Sequence, residues 1–132
     1  MSSERPINPR FAEDLPFNQV AGPPSYSRET DGPVTYLSIA DATGTVIGYV
    51  WANDGDDAAG WVVPPGLSAS AVNAGASWLR ALRSGKARGL APTALLAELA
   101  QGANDNKLSH ALPGTLTEAP SLAALRSMAA GG

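Results

Sequence analysis

The sequence contains no cysteine and only one histidine, His110. Without cysteine the chain cannot form a disulfide framework, present a thiol nucleophile or build a thiolate metal site. A single imidazole also removes most histidine-based metal sites, and Ser109 beside His110 does not make a catalytic pair by adjacency alone. We therefore expect no catalytic residues, no metal and no cofactor.

Charge and long hydrophobic runs are also scarce. Charged residues make up 16% of the chain and the net charge is −3. The longest apolar run, Val46–Ala52, is too short to span a bilayer, and the first residues lack the apolar region of a signal peptide. These features favour a cytoplasmic protein. Seven Arg against two Lys, with many Ala and Gly residues, are typical of a bacterial source.

Large apolar residues are few, which limits the size of the core. Alanine accounts for 24 of the 132 residues, whereas Leu, Val, Ile and Phe together account for 26. A fraction of Leu, Val, Ile and Phe of about one-fifth is close to that of disordered chains. The charge of this chain is too low, however, for electrostatic repulsion to keep it unfolded. The composition predicts one small folded domain.

Six of the eleven prolines lie in residues 1–33. Proline lacks a backbone donor and restricts its predecessor, so this stretch cannot form a long helix or a central strand. We predict an extended or disordered arm over 1–33 and a single domain over 34–130. The arm contains an apolar and acidic cluster around Phe11, Leu15 and Phe17, which can dock on the domain or on a partner.

The pattern after residue 33 predicts an α+β fold, in which a small antiparallel β-meander precedes two to three helices. Alternating apolar residues predict strands over 34–40, 46–52 and 61–63, with Gly44 in the left-handed position of the first turn. Helical spacing and end signals predict helices over 68–84, 92–101 and 120–129, the first ending at Gly85. Residues 103–119 are predicted to be a loop.

Burial selects a register for the first two strands in which the numbers of paired residues sum to 86. This pairing places one apolar set on the face that packs on the first helix: Leu37, Ile39, Ile47, Tyr49 and Trp51. Tyr36 and Val50 then lie together on the opposite face. The first helix can cover only one face, so the other face must be covered by the arm, by the later helices or by another chain. Of these alternatives we predict a partner, which would bind Tyr36 and Val50 and also Phe11, Leu15 and Phe17.

Four of the nine basic residues fall within nine positions, at Arg80, Arg83, Lys86 and Arg88. No acidic residue lies between Asp57 and Glu98, so this cluster is a candidate site for a phosphate or an acidic partner surface. Basic residues also complement the dipole at the end of a helix without any ligand. Nucleic-acid binding is not expected, because the chain is net acidic. Residues 93–101, which would be the recognition helix of a helix-turn-helix motif, also contain no Arg or Lys to contact phosphates.

Asp54, Asp56 and Asp57 do not have the spacing of a calcium-binding loop, because a proline stands where the bidentate glutamate is required. They are predicted to form a polar turn.

Residues 39–52, followed by Trp61–Pro65 and a helix, resemble the central hairpin and strand-to-helix turn of acetyl-CoA-dependent N-acetyltransferases. The resemblance implies a pyrophosphate site at the N-terminus of the first helix, near Gly66–Ser70. The segment from Gly66 to Ala71 has one glycine and no Arg or Gln, unlike the phosphate-binding turn of that family.

The function expected from these patterns is a non-enzymatic protein-interaction module, an accessory subunit or adaptor of a larger bacterial complex. Its partner would be another protein or a second copy of this chain. The alternative is a small-molecule or acyl-CoA-binding domain distantly like an N-acetyltransferase. No membrane association is expected.

Overall fold

The computed structural model describes residues 25–66, 69–112 and 114–131. The described chain forms a five-stranded antiparallel sheet and three helices, which confirms the predicted α+β class. The elements in chain order are β1 (Val34–Asp41), β2 (Val46–Asn53), β3 (Ala58–Val62), α1 (Ala69–Ala87), α2 (Pro92–Ala100), β4 (Ser109–Ala111), β5 (Thr117–Ala119) and α3 (Leu122–Ala129).

The β1–β2 turn is held by the side chain of Asp41. Its Oδ1 accepts hydrogen bonds from the backbone N–H groups of Thr43 and Thr45, at 2.9 and 3.1 Å, and from the Thr43 hydroxyl at 2.6 Å. Gly44 has a φ of 89°, so the predicted left-handed glycine is confirmed.

The predicted register of β1 and β2 is wrong by one residue along most of the hairpin. Ala40 pairs with Val46 as predicted, but the register then shifts, and Ile39 and Leu37 pair with Gly48 and Val50. The cause is a β-bulge, which inserts one extra residue and leaves Ile47 without a direct partner. Every subsequent residue of β2 is thereby moved to the face opposite to the predicted one.

The bulge changes which side chains form the first core, between the sheet and helices α1 and α2. Leu37, Ile39 and Ile47 are buried there as predicted, whereas Tyr49 and Trp51 are not part of it. The other buried members of this core are Tyr26, Val50, Ala52, Ala59, Ala74, Trp78, Leu82, Leu95, Leu96, Leu99 and Ala111.

Glycines let the helices approach the sheet and each other closely. A Cβ built on Gly85 would lie 2.3 Å from Leu95 Cδ2, so the lack of a side chain at Gly85 allows α2 to pack closely against α1, which continues through this residue. The predicted helix end at Gly85 is therefore wrong, and α1 ends at Ala87.

The outer edge of β1 is covered by β4 and β5, which pair with its two ends.

The second face of the sheet packs on α3. The buried residues of this second core are Val34, Trp51, Ala58, Val62, Ala119, Leu122, Leu125 and Ala129. Ser121 caps α3, since its side chain accepts a hydrogen bond from the Ala124 N–H at 3.0 Å.

Residues 25–33, which belong to the predicted arm, pack on the domain. Tyr26 is buried and its hydroxyl donates a 2.8 Å hydrogen bond to the Leu90 carbonyl. Ser27 forms an isolated parallel bridge with Ala58 at the start of β3. The remainder of the predicted arm, residues 1–24, lies outside the described residues.

Candidate functional site

The five residues predicted to bind a partner have three different outcomes. Phe11, Leu15 and Phe17 lie outside the described residues. Val50 is completely buried beneath the helices, so its assignment to an exposed face is wrong; the β-bulge at Ile47 is the reason. Tyr36 lies on the second face and is partly buried.

Tyr36 belongs to an aromatic cluster that α3 covers only in part. Its ring and that of Tyr49 meet edge to face, with centroids 5.7 Å apart and an interplanar angle of 85°. The Tyr36 hydroxyl lies 3.5 Å from Met128 Sδ, and Met128 is 37% exposed. We refer to Tyr36, Tyr49 and Met128 as the tyrosine patch.

The length of α3 explains why the tyrosine patch remains accessible. An eight-residue helix is about 12 Å long, whereas an eight-residue strand is about 27 Å long. The helix packs over only part of this face, which includes Val34, Trp51, Ala58 and Val62. Tyr36, which pairs with Trp51, and Tyr49, which pairs with Val62, pack beside this core and stay partly exposed to solvent.

The predicted basic cluster does not converge on one point. Lys86 forms an ion pair with Asp57 and lies 5.5 Å from the centroid of the Tyr26 ring. Arg88 pairs with Glu98 at 3.1 Å. Asp57 and Glu98, which flank the stretch of sequence without acidic residues, thus each form an ion pair with one of its basic residues.

Arg80 and Arg83 line different depressions, although they are only three residues apart. Arg80 and Arg88 line a groove between α1 and α2 together with Glu98. Arg83 lines a separate cleft on the other side of α1. The four basic residues therefore do not form the single anion site considered from the sequence.

The cleft that contains Arg83 lies along the outer edge of β3, and we refer to it as the β3-edge cleft. It has a volume of about 280 Å³. Its lining residues come from the segment before β1, from the strands and from two helices: Ser25, Tyr26, Arg28, Glu29, Trp51, Ala59, Gly60, Trp61, Leu79, Leu82, Arg83 and Arg126. Three arginines and one glutamate therefore border a largely apolar and aromatic wall.

Residues from three separate parts of the chain bring positive charge to this cleft. Arg28 precedes β1, Arg83 lies on α1, and Arg126 lies on α3. The basic cluster of the sequence includes Arg83 only, because Arg28 and Arg126 are isolated bases with no local pattern around them. The pKa of the Tyr26 phenol in the same wall is raised above 10.0, mainly by burial and next by the nearby Asp57 carboxylate.

The backbone of β3 is only partly paired along this edge. Ser27 donates to the Asp57 carbonyl and accepts from the Ala59 N–H, both at 2.9 Å. The chain then turns away, because the Glu29 N–H bonds to the Ser27 hydroxyl instead of continuing the ladder. In an antiparallel strand alternate residues direct both backbone groups to the same side, so the Ala59 carbonyl and both groups of Trp61 point outward.

The described residues contain no group of three or more His, Asp or Glu side chains placed to hold a metal ion. None of the described helices has the length and apolar character needed to cross a membrane. The turn that resembles the N-acetyltransferase phosphate site includes residues 67 and 68, which lie outside the described residues. Comparison of the chain with protein-family models, curated proteins and solved structures finds no match.

Proposed function

We propose that this chain is a non-enzymatic protein-interaction module, acting as an accessory subunit or adaptor of a bacterial complex in the cytoplasm. The observation that supports this proposal best is the tyrosine patch. Two aromatic rings and a methionine lie together on a sheet face that the chain's own helix covers only in part.

The composition of the patch suits a binding surface. Tyrosine and methionine are enriched at protein interfaces, where tyrosine combines a large apolar ring with a hydroxyl that can bond at the rim. The edge-to-face packing of Tyr36 on Tyr49 restrains both rings before any partner arrives. Less side-chain entropy is then lost on binding, which favours a few strong contacts at this position.

Site-specific photo-crosslinking in the producing cells tests this proposal. A photoreactive phenylalanine analogue replaces Tyr36 in one variant and Ala97 in a control. Ala97 is an exposed residue of α2, on the other side of the sheet. We expect a discrete adduct of defined mass from position 36 and none from position 97.

The captured protein is then identified and its affinity for purified wild-type chain is measured. An adduct between two copies of this chain would identify a homo-oligomer and would equally support the proposal. Equal adduct patterns from both positions, or no adduct from position 36 under conditions that preserve known complexes, would contradict it.

A further inference from the structure

We propose that the β3-edge cleft binds an extended acidic segment of a partner protein. The segment would add a strand to β3 and direct its carboxylates to Arg28, Arg83 and Arg126. This site lies at the edge of the sheet and is separate from the tyrosine patch, so the inference goes beyond the proposed function and can be tested independently of it.

The backbone of β3 carries the first part of this inference. The Ala59 carbonyl and the N–H and carbonyl of Trp61 point outward, and no described residue pairs with them. Strand addition supplies the alternating donors and acceptors that such an edge requires. Ser27 shows that the edge accepts a parallel chain, because one residue of that chain already pairs there. Pro64 and Pro65 limit the addition to the few positions that precede them.

The side chains around the edge carry the second part. Successive residues of an added strand point to opposite faces of the sheet. On the face of α1, such residues would meet Arg83 with the apolar side chains of Leu79 and Leu82. On the face of α3 they would meet Arg126 and Trp51. Acidic residues can therefore reach an arginine on either face while the ligand backbone stays in register with β3.

Charge and size favour a peptide over other anions. The cleft has three arginines and one glutamate in a chain whose net charge is −3, so its local charge opposes that of the whole molecule. A nucleic-acid backbone has no amide N–H to donate to the Ala59 and Trp61 carbonyls. The cleft volume of about 280 Å³ is just below the roughly 300–1,000 Å³ typical of sites that enclose a drug-sized ligand. Coenzyme A is larger than such ligands, so the cleft is too small to enclose it.

Titration with a defined peptide tests the inference. The probe is an acetylated and amidated hexapeptide of alternating valine and glutamate, and its matched control has glutamine in place of glutamate. Binding is followed by calorimetry at low salt. We expect the glutamine peptide to bind at least about tenfold more weakly, because charge-assisted bonds to arginine are lost.

Protein variants separate the cleft from the rest of the surface. The double variant R83Q/R126Q should bind the acidic peptide at least about tenfold more weakly than wild type. Arg80→Gln removes one arginine charge from α1, the helix that carries Arg83, but this residue lies in the other groove, so the affinity of the variant should stay within about twofold of wild type. Circular dichroism and the melting temperature establish that each variant is folded.

Backbone hydrogen exchange tests strand addition directly. The Trp61 N–H should become protected from exchange in the peptide-saturated protein. The N–H groups of Gly60 and Val62 face β2 and serve as internal controls that are already protected.

The inference is overturned if the acidic peptide does not bind wild type, or if the glutamine peptide binds wild type as tightly as the acidic peptide does. It is also overturned if R83Q/R126Q binds the acidic peptide as tightly as wild type does, or if the Trp61 N–H stays unprotected at saturation. Displacement of the peptide from the cleft by acetyl-CoA or by a DNA duplex at lower concentration than the peptide itself requires would also overturn it.

Discussion

The Trp61 ring packs between Gly48 and Gly75. We therefore predict that Gly48→Ala changes the free energy of unfolding in a direction that depends on whether the tryptophan is present. A Cβ built on Gly48 would lie 2.4 Å from Cη2 and Cζ2 of Trp61, about 1 Å short of ordinary van der Waals contact. On its other side the ring already packs closely against Gly75 of α1, where an added Cβ would lie only 2.5 Å from Nε1, so the ring has little room to move away from Gly48. Gly48→Ala should therefore overpack the first core.

The expected size follows from two opposing effects. Overpacking a dense core typically costs about 1–3 kcal/mol. Replacing glycine by alanine within a strand returns about 0.5–1 kcal/mol, since less backbone entropy is lost on folding. Gly48→Ala should therefore lower the free energy of unfolding by a net amount of up to about 2.5 kcal/mol. In a Trp61→Leu background the clash is absent, and the same substitution should be neutral or stabilising by up to about 1 kcal/mol.

Urea unfolding followed by far-ultraviolet circular dichroism measures all four members of this double-mutant cycle. Gly55→Ala provides a control, because Gly55 lies in an exposed turn with only Asn53 Oδ1 near its missing Cβ, at 3.5 Å. Its effect should stay within about 0.5 kcal/mol. Equal costs of Gly48→Ala with and without Trp61, or a stabilising effect in the wild-type chain, would refute this account of the packing.

Two further predictions concern polar groups. Ser109→Ala should cost about 1–3 kcal/mol in urea unfolding, because it leaves the buried Trp78 indole N–H without its 2.9 Å acceptor; a cost below that of an exposed Ser84→Ala control would contradict this. The hydroxyl of Thr43 is the main cause that lowers the pKa of Asp41 below 3.8, followed among the lowering causes by backbone N–H groups. Asp41 thus stabilises the fold above pH 3.8, and this contribution is lost as pH falls through its folded pKa. Thr43→Val should raise that pKa toward 3.8 in an NMR titration, and an unchanged value would disprove the assignment.

The sequence was informative where local periodicity and turn chemistry decide the structure. The first two strands, the Gly44 turn and the second helix follow from alternation, glycine and the Pro92 start signal. The third strand begins earlier than predicted, at Ala58, because Asp57 ends the preceding turn with a φ of 49°.

Features that depend on tertiary pairing were not predictable in the same way. The bulge at Ile47 leaves no mark in the alternation of β2, yet it reverses the faces of Tyr49 and Val50. β4 and β5 have three residues each and exist because the outer edge of β1 accepts them, with Leu112 and Thr115 bonding to Ser38 between the two strands. Residues 103–119 therefore contain two strands rather than the predicted loop.

The candidate sites illustrate the same limit. Four basic residues cluster in the sequence on and after α1, but in the fold Asp57 and Glu98 each form an ion pair with one of them. The arginines of the β3-edge cleft are separated by more than forty positions along the chain at each step, and only the sheet edge brings them together.

The most direct test of the proposed interaction surface is the affinity of Tyr36→Ala for the protein captured at position 36. Tyr36 is only partly buried, so the isolated variant should stay folded, with a loss of about 1 kcal/mol from its contact with Tyr49. Leu37→Ala, on the adjacent but fully buried residue, should instead cost about 2–5 kcal/mol of stability. We expect Tyr36→Ala to weaken partner binding by about 2 kcal/mol or more, roughly thirtyfold in the dissociation constant. Unchanged affinity, or unfolding as severe as that of Leu37→Ala, would contradict the assignment of this face to partner binding.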